Sequence, residues 1–380
     1  MRKLVDLCNI QYGYPFDASF FSSSQKNGMP LIRIRDVKEG KTSTYFEGEF
    51  PRDYIVRRGE YLIGMDGEFN IAPWNSDEAL LNQRVCRITA VSKEVNIHYI
   101  YRFLQKELKR IEDDTPYATV KHLSAKRINQ IQLPLPSIAK QERIATELNI
   151  LESILDKSKL QLAILDELEL SIFYDSFGNP VINPIGWKSL SLSDVSSLIT
   201  DGSHYSPKDE EMGTIPMLSV KNMGARGFDY TDCKMISQEE FKKLEAAGCK
   251  PLPDDVLVAK DGSYFKKIFV HHSEAPQAIL SSIAIVRPDQ TKVTPEFLCS
   301  LLSTPDIYNL VEERYLTGTA IKRVILKGLR QLKIIVPPMD MQKQFSMKIW
   351  RINAQRRLIE ESVVEAQKLF DSRMNYYFGD

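Results

Sequence analysis

The 380-residue sequence has no excess of either charge, because 50 lysines and arginines balance 50 aspartates and glutamates. A neutral chain does not hold nucleic acid by overall electrostatic attraction, since phosphate neutralisation needs an excess of basic side chains. Basic residues do cluster locally, and each cluster taken alone is explained as well by an ordinary solvated surface. The clusters are Arg33 with Arg35, residues 121–127, Lys266 with Lys267, and residues 322–330.

Long apolar runs, signal-peptide features and paired cysteines are also missing. No apolar run approaches the ~18 residues of a membrane span. The start, Met1 to Asp6, becomes polar too early for a signal peptide. The five cysteines are scattered without a C-x-x-C pair, which favours reduced thiols in a cytoplasmic protein. The five histidines form no metal-ligand pattern, so we expect no metal site.

Catalytic signatures are absent as well. The chain has no G-x-x-x-x-G-K-[ST] phosphate loop, no G-x-G-x-x-G and no G-x-S-x-G. No motif suits an amino-methylating site, and Glu107-Leu108-Lys109 lacks the preceding aspartate of a nuclease metal site. We therefore predict a non-catalytic protein without a cofactor.

What the chain does contain is one long internal repeat. Residues 117–179 align without a gap with residues 318–380, at a constant offset of 201 positions. This is longer than a solenoid unit of roughly 20–50 residues, so it indicates two copies of a whole module. Upstream, residues 28–37 and 60–67 match residues 213–222 and 255–262 more loosely. The matched pairs include Val120 with Ile321, Gln130 with Gln331, Pro136 with Pro337, Gln141 with Gln342, and Phe177 with Phe378.

Each copy begins with a globular part that is rich in short strands. Residues 31–35 alternate apolar and basic side chains, which predicts a half-buried strand with a basic outer face. Apolar segments 61–64 and 256–259 predict strands that end in Asp-Gly turns, where glycine supplies positive φ. Further strands are expected at 85–88 and 283–286, and helices at 99–109 and 295–302.

A long helix closes each copy, after prolines that set its start. From Gln141 and from Gln342, apolar residues follow a 4-3-4-3 spacing for about three heptads, as in a coiled coil. The alternative, an amphipathic helix lying on its own domain, weakens because both helices carry the pattern at matching positions. Ser158 and Arg356 interrupt it. The predicted coiled-coil residues are Ile144, Leu148, Leu151, Leu155, Leu162, Leu165, Phe345, Ile349, Ile352, Ile359 and Val363.

We call the predicted coiled-coil residues the seam of the helices. The first helix also carries a second apolar stripe outside the seam, formed by Ile150, Ile154, Ile164, Leu168 and Ile172. Such a stripe needs a second apolar partner, either its own globular part or another protein. A linker rich in proline and asparagine, residues 179–187, marks the boundary between the copies.

These features predict an α+β fold in which two strand-rich domains are separated by a pair of long antiparallel helices forming a coiled coil. The expected segments are a first domain at 1–136, a central helix at 137–179, a second domain at 180–337 and a C-terminal helix at 338–380.

At this point the residues resemble a known family. Residues 134–144, a Leu-Pro segment running into a glutamine and a long helix, are similar to the start of the spacer helix in specificity subunits of type I restriction–modification systems. Residues 28–36 and 63–70 resemble that family's first target-recognition domain, and residues 200–207 resemble a subtype of the second. One departure is Ser137, where a second proline is usual, as Pro338 is in the other copy.

The resemblance implies a subunit that is not an enzyme. In this family two target-recognition domains each recognise one half of a split site in double-stranded DNA, and the helices hold them apart. Two methyltransferase subunits and the motor-nuclease restriction subunits dock on the helices. Arginine favours guanine and asparagine favours adenine at base edges. The candidate DNA-binding residues are Arg33, Arg35, Asp66, Gly67, Asn70, Lys121, His204, Lys260, Lys266 and Lys322. The alternative is a non-catalytic scaffold with two peptide-binding globular domains.

Overall fold

The structure is a computed structural model that describes residues 1–24, 28–116, 121–208, 212–262, 264–317 and 322–379. The repeat positions Val120 and Ile321 lie outside the described residues. The chain divides into two compact units, and each long helix contributes to both. Unit 1 comprises residues 1–159 and 361–380, and unit 2 comprises residues 160–360.

The first copy of the module consists mainly of short strands followed by helices. Its elements are β1 Arg2–Lys3, β2 Cys8–Tyr12, β3 Phe21–Ser22, β4 Met29–Ile32, α1 Ile34–Glu39, β5 Tyr45–Phe46, β6 Ile55–Val56, β7 Tyr61–Gly64, β8 Asn70–Pro73, β9 Ala79–Leu81, β10 Val85–Ala90, α2 Ile97–Asp113, α3 Ala125–Gln130, β11 Gln132–Leu133 and α4 Ile138–Phe177.

The second copy repeats this order with small differences. Its elements are β12 Lys188–Ser191, β13 Ser196–Asp201, β14 Ile215–Leu218, β15 Lys234–Ile236, α5 Gln238–Ala246, β16 Val256–Ala259, β17 Ile268–Val270, β18 Ala278–Ile279, β19 Ile283–Pro288, α6 Pro295–Leu302, α7 Pro305–Arg314, β20 Leu316–Thr317, β21 Arg323–Val324, α8 Leu326–Gln331, β22 Lys333–Val336 and α9 Met339–Phe378.

The sheet topology is duplicated even where the sequence has diverged. An antiparallel sheet of order β2-β10-β7-β8 in unit 1 corresponds to β13-β19-β16-β17 in unit 2. A second sheet contains β5-β4-β9 in unit 1 and β15-β14-β18 in unit 2, each with one parallel pair. The pairs β1-β11 and β12-β22 tie the start of each domain to the strand before its long helix. The two globular parts are therefore versions of one fold.

Two equivalent glycines show how tightly this fold is constrained. The backbone N–H of Gly13 donates a 2.9 Å hydrogen bond to the carbonyl of Val85, the first residue of β10. The backbone N–H of Gly202 donates a 3.2 Å hydrogen bond to the carbonyl of Ile283, the first residue of β19. A Cβ atom on Gly13 would lie 1.9 Å from the Asn82 carbonyl oxygen, and one on Gly202 would lie 2.1 Å from that of Ile279. Only glycine allows this close approach of two backbone segments.

The prediction of a strand over residues 31–35 is wrong beyond Ile32. Arg33 is the last residue before helix α1, where Asp36, three residues on, accepts a 2.8 Å hydrogen bond from the Arg33 backbone N–H. This carboxylate satisfies a donor that the helix start leaves unpaired. Both Arg33 and Arg35 are exposed, so the basic surface is present on a helix start rather than on a strand.

Each unit has its own apolar core around the four-stranded sheet. In unit 1 the core includes Ile144 and Leu148 of α4 together with Met374 of α9. In unit 2 it includes Phe173 and Phe177 of α4 together with Phe345 of α9. Each domain therefore packs on segments of both long helices within its own unit.

Both long helices have 40 residues and lie inside the predicted ranges 137–179 and 338–380. Their burial follows the predicted 4-3-4-3 spacing. Leu162, Leu165, Ile359 and Val363 are partly buried, and the polar seam residues Ser158 and Arg356 are buried at 7% and 5% exposure. The remaining predicted seam residues are buried, namely Ile144, Leu148, Leu151, Leu155, Phe345, Ile349 and Ile352. No helix over the described ranges is long and apolar enough to cross a membrane.

Candidate nucleic-acid interface

The first domain contains a cleft of about 530 Å³ where the sequence placed several candidate residues. Arg33 and Arg35 reach it from the start of α1, Asp66 from the turn after β7, and Asn70 from the start of β8. Residues far apart in the sequence meet here because β7 and β8 form a hairpin beside α1. The cleft is lined by Phe21, Arg33, Ile34, Arg35, Lys38, Asp66, Glu68, Asn70, Asn82, Gln83 and Arg84.

The basic side chains of the cleft differ in how far their charge is compensated. Lys38 Nζ lies 2.9 Å from Glu68 Oε1, and Arg35 Nε lies 3.7 Å from Asp36 Oδ1. The Arg33 guanidinium makes no ion pair with a carboxylate in the described part of the chain. An exposed guanidinium without an ion-pair partner can donate hydrogen bonds to a phosphate or to a guanine edge without first losing a protein contact.

Asp66 lies at the centre of a triplet of polar side chains on the cleft wall. Its carboxylate hydrogen-bonds to His122 Nδ1, and Arg84 Nε lies 3.6 Å from its other oxygen. Arg84 Nη1 is also 3.2 Å from His122 Nδ1. Backbone pairing between Asp66 and His122 fixes this arrangement. The triplet orients Arg84, and Asp66 thereby positions a basic side chain at the cleft.

Asn70 is only partly satisfied. Its Nδ2 donates a 2.9 Å hydrogen bond to the Glu68 carbonyl, while its buried Oδ1 has no hydrogen-bond partner among the described residues. An unsatisfied buried oxygen costs about 1–3 kcal/mol. A side chain in this condition can reorient toward a ligand with little loss of protein contacts.

Two other predicted residues of unit 1 have evident structural contacts. Gly67 has a φ of +74° and donates a 2.9 Å hydrogen bond to the Lys121 carbonyl. The Lys121 ammonium in turn donates a 2.6 Å hydrogen bond to the Glu112 carbonyl near the end of α2. Both residues shape the turn that carries Asp66.

In unit 2 the predicted residues do not gather in a single cleft. Lys260, which follows β16 as Met65 follows β7, is 7% exposed, and its ammonium lies 3.2 Å from Asp201 Oδ2. His204 is exposed, with Nε2 3.4 Å from Asp201 Oδ1. Lys266 lines a separate cleft of about 400 Å³, and Lys322 is exposed on the surface. His204 and Lys260 thus share Asp201, whereas Lys266 and Lys322 lie elsewhere.

Lys38, Asn82, Gln83 and Arg84 also line the unit 1 cleft and were not predicted. The run Asn82-Gln83-Arg84 between two apolar strands was a usable signal, because these are the residue types that hydrogen-bond base edges. Its place beside Asp66 depends on the β7–β10 pairing, which the sequence does not show. Within the described segments, no group of three or more histidine, cysteine, aspartate or glutamate side chains could hold a metal ion.

The fold defines a class of protein: tandem copies of one mixed α/β domain, each followed by a 40-residue helix. Residues 1–170 match the family model for the type I restriction modification DNA specificity domain. The chain is 28% identical to the EcoBI specificity subunit of Escherichia coli, over 96% of this chain and 81% of that one. It is 23% identical to the MjaIX specificity subunit of Methanocaldococcus jannaschii, over 77% and 70% of the two chains.

Solved structures of type I restriction–modification proteins have a similar fold. The S subunit of the type I restriction–modification system from M. genitalium has a TM-score of 0.65 at 13% identity, with 100% of this chain and 96% of that chain covered. A chain from a study of type I restriction–modification complex assembly has a TM-score of 0.50 at 17% identity, covering 99% and 96%. Along nearly its whole length the chain is therefore similar to specificity subunits of type I restriction–modification systems, and its first 170 residues match the DNA specificity domain of that family.

Proposed function

We propose that this subunit recognises a bipartite DNA site, with each domain contacting one half. The duplicated sheet topology is the single observation that carries the proposal, because two copies of one fold suit two separate half-sites. The polar pairs differ between the two units, Asp66 with His122 in one and Lys260 with Asp201 in the other, which suits two different base sequences. A subunit acting on chromosomal DNA in this way works in the cytoplasm.

In the first domain, the cleft that holds Arg33, Arg35 and Arg84 is the proposed base-recognition surface. Arginine reads guanine through two hydrogen bonds, and asparagine or glutamine reads adenine. Asn70 and Gln83 supply such amides beside the arginines. Because the whole chain is neutral, we infer that partner subunits supply much of the phosphate contact.

The two long helices are proposed to pair antiparallel and to set the distance between half-sites. Contacts within each unit support this. In unit 1, Arg373 Nε lies 2.8 Å from Glu147 Oε1, so the end of α9 lies beside the start of α4. In unit 2, Arg356 Nη2 lies 2.8 Å from Asp166 Oδ1, and Phe345 contacts Phe177.

We further propose that methyltransferase subunits, two per chain, dock on exposed apolar residues of the helices and that restriction subunits join this assembly. Ile150 and Ile154 are 55% and 41% exposed, and Ile164 and Leu168, two heptads later, are 51% and 43% exposed. Ile172, the last residue of the predicted stripe, packs on the core of unit 2 instead. Exposed apolar residues that recur at the same two heptad positions are typical of an interface with another protein.

The decisive experiment maps methylated bases in cells with and without the gene, in a host that supplies the matching methyltransferase subunit. We expect one split motif to lose methylation when the gene is deleted. Replacement of residues 1–136 by the matching segment of a relative should change one half of that motif only. A continuous motif, or a change in both halves, would contradict the proposal.

A further inference from the structure

A buried guanidinium joins the first domain to its helices. Arg102 of α2 is 1% exposed. It donates hydrogen bonds to Asn149 Oδ1 at 2.9 Å and to both oxygens of Glu152, at 2.8 and 2.6 Å. Its guanidinium carbon also lies 5.8 Å from the ring centre of Phe370 on α9. One side chain of the domain therefore contacts segments of both long helices.

The equivalent position in unit 2 carries no arginine. The two copies can be matched here because the Gln141 side chain accepts a 3.0 Å hydrogen bond from the Asn96 backbone, as Gln342 does from Thr294. Counting forward from those residues along α2 and α6, Arg102 corresponds to Ser300. Ser300 donates a 3.1 Å hydrogen bond to Glu169 but is too short to reach α9.

A guanidinium is nevertheless present at this place, supplied by another element. Arg226, in the loop before β15, donates hydrogen bonds to Asp166 and Glu169 of α4 at 2.9 and 2.8 Å. It also donates one to Asn353 of α9 at 3.4 Å. By the repeat offset, Asn353 corresponds to Glu152 and Glu169 corresponds to Phe370, the helix residues that Arg102 contacts. The same helix positions are thus bound in both units, from unrelated parts of the domain.

The geometry points to Arg226 as the residue that fixes the orientation of the second domain on its helix segments, and to Arg102 as its counterpart in the first. This inference rests on the proposed function: orientation fixes the distance between the half-sites, so Arg226 restricts the gap length that the subunit accepts. It is a positioning residue, because its polar contacts are with the helices.

The surroundings of Arg226 make its hydrogen bonds important for this orientation. It lines two clefts of about 480 and 400 Å³, and its hydrogen bonds to α4 and α9 lie where these two clefts meet. Burial lowers the pKa of Arg226, but the neighbouring Glu169 and Asp166 outweigh this and raise it above its ordinary value. A tilt of roughly 15° about such a contact moves a surface ~13 Å away by about 3.4 Å, one base-pair rise.

The test uses the full chain assembled with its methyltransferase subunits and DNA carrying the mapped site. The gap is kept, shortened by one base pair or lengthened by one base pair. We expect Arg226→Ala to reduce the preference for the natural gap by roughly tenfold or more, because one hydrogen bond to a charged group is already worth about that factor. Preference among bases within the second half-site should not change. Lys243→Ala, which breaks an ion pair internal to α5, is the matched control.

A rescue distinguishes positioning from general stability. The variant Arg226→Ala with Ser300→Arg and Asn353→Glu places the Arg102–Glu152 pair of unit 1 at the corresponding positions of unit 2, and it should restore gap preference. If Arg226→Ala does not assemble, Arg226→Lys keeps the charge with fewer fixed donors and should give intermediate preference. Retained gap preference in Arg226→Ala, or equal loss of gap and base preference, overturns the inference.

A second measurement needs neither DNA nor partner. In the isolated chain, Arg226→Ala should increase amide hydrogen exchange in residues 223–233 and in α6, while the β13–β19 pairing stays protected. Unchanged exchange there would overturn the positioning role even if methylation were altered. Conversely, failure of wild-type chain to support methylation of any split site, with this exchange result intact, would count against the proposed function alone.

Discussion

At the scale of single residues, Arg33 and Arg35 carry the proposed recognition by the first domain. Their exposure comes from the start of α1, which Asp36 stabilises. Replacing both with alanine should weaken binding to one half-site by roughly 1–3 kcal/mol per lost base contact and leave the other half-site unaffected. Binding of the assembled complex to sites mutated in either half measures this.

The matched control is Arg57→Ala with Arg58→Ala, which removes two exposed arginines that pair with Glu78 and Asp77 outside the cleft. This pair should cause little change. Unaltered affinity and sequence preference in the Arg33 and Arg35 variant would instead make these residues an ordinary solvated surface.

Cys86 illustrates a residue whose chemistry is suppressed by its position. It is fully buried in β10, and burial raises its pKa to about 12. The unfolded thiol titrates near ~8.5. Between these two pKa values the thiol is deprotonated in the unfolded state but still protonated in the native state, and this favours unfolding. The free energy of unfolding is therefore unaffected by Cys86 below pH ~8.5 and falls as the pH rises toward 12.

We therefore expect the native chain to leave Cys86 unmodified by a thiol reagent at pH 8, while urea-unfolded chain reacts. The urea concentration at the unfolding midpoint should decrease less from pH 8 to pH 10 in Cys86→Ala than in the natural chain. Rapid modification of native Cys86 would show that β10 is not packed as described.

At the scale of elements, the long helices carry one polar residue whose burial is poorly compensated. Arg356 is 5% exposed; its Nη2 lies 2.8 Å from Asp166, yet Nε and Nη2 lack a well-directed hydrogen bond in the described part of the chain. The 2.8 Å distance between Arg356 Nη2 and Asp166 Oδ1 indicates an electrostatic attraction, whereas the bond angles do not allow a well-formed hydrogen bond between these atoms. Asp166 keeps Arg226 as a second partner at 2.9 Å.

Arg356→Leu should consequently be neutral or should stabilise the chain by about 1 kcal/mol, because an apolar side chain replaces an incompletely paired ion. Arg102→Leu is the contrasting variant and should destabilise by about 3 kcal/mol, since it leaves Glu152 and Asn149 without their partner. Thermal melting of the two variants gives the comparison. A large loss in Arg356→Leu would assign that arginine a specific structural role.

The helices also permit a direct test of spacing. Each has 40 residues and is therefore ~60 Å long. Inserting one heptad into both keeps the seam in phase and adds ~10 Å, or roughly three base pairs. The half-sites recognised in methylation mapping should stay the same while the gap grows. An assembled variant that methylates sites with an unchanged gap would show that the helices do not set the spacing.

At the scale of the whole molecule, the proposed function depends on other subunits. The exposed Ile150, Ile154, Ile164 and Leu168 are the proposed docking residues for a methyltransferase subunit. Ile154→Asp with Ile164→Asp should abolish co-purification of that subunit, because two charges would be buried at the interface. The chain itself should keep its melting temperature, since both side chains are exposed.

The matched control is Val91→Asp, an equally apolar and exposed position in the first domain. It should bind the methyltransferase subunit normally. Normal co-purification of the helix variant would move the docking surface elsewhere on the chain.

Several elements were predictable because they depend on local pattern. The strands Tyr61–Gly64 and Val256–Ala259 and the helix Pro295–Leu302 lie at the positions that the sequence indicated. Strand β4 was placed too far toward its C-terminal end, because Asp36 starts a helix that alternation of side chains did not reveal. The cleft was predicted only in part, since Gln83 and Arg84 reach it through strand pairing over some 20 residues.

By itself, the sequence determined the duplication, the long helices with their 4-3-4-3 apolar spacing, and the similarity to type I specificity subunits, because each of these is a periodicity or motif within contiguous residues. Tertiary structure alone decided which residues share a cleft, that Lys260 is buried against Asp201, and that Arg226 occupies the place of Arg102. The reason is physical. Local pattern fixes which face of an element is apolar, whereas contacts between distant segments depend on how those faces pack, and a guanidinium can reach one point in space from more than one position in the chain.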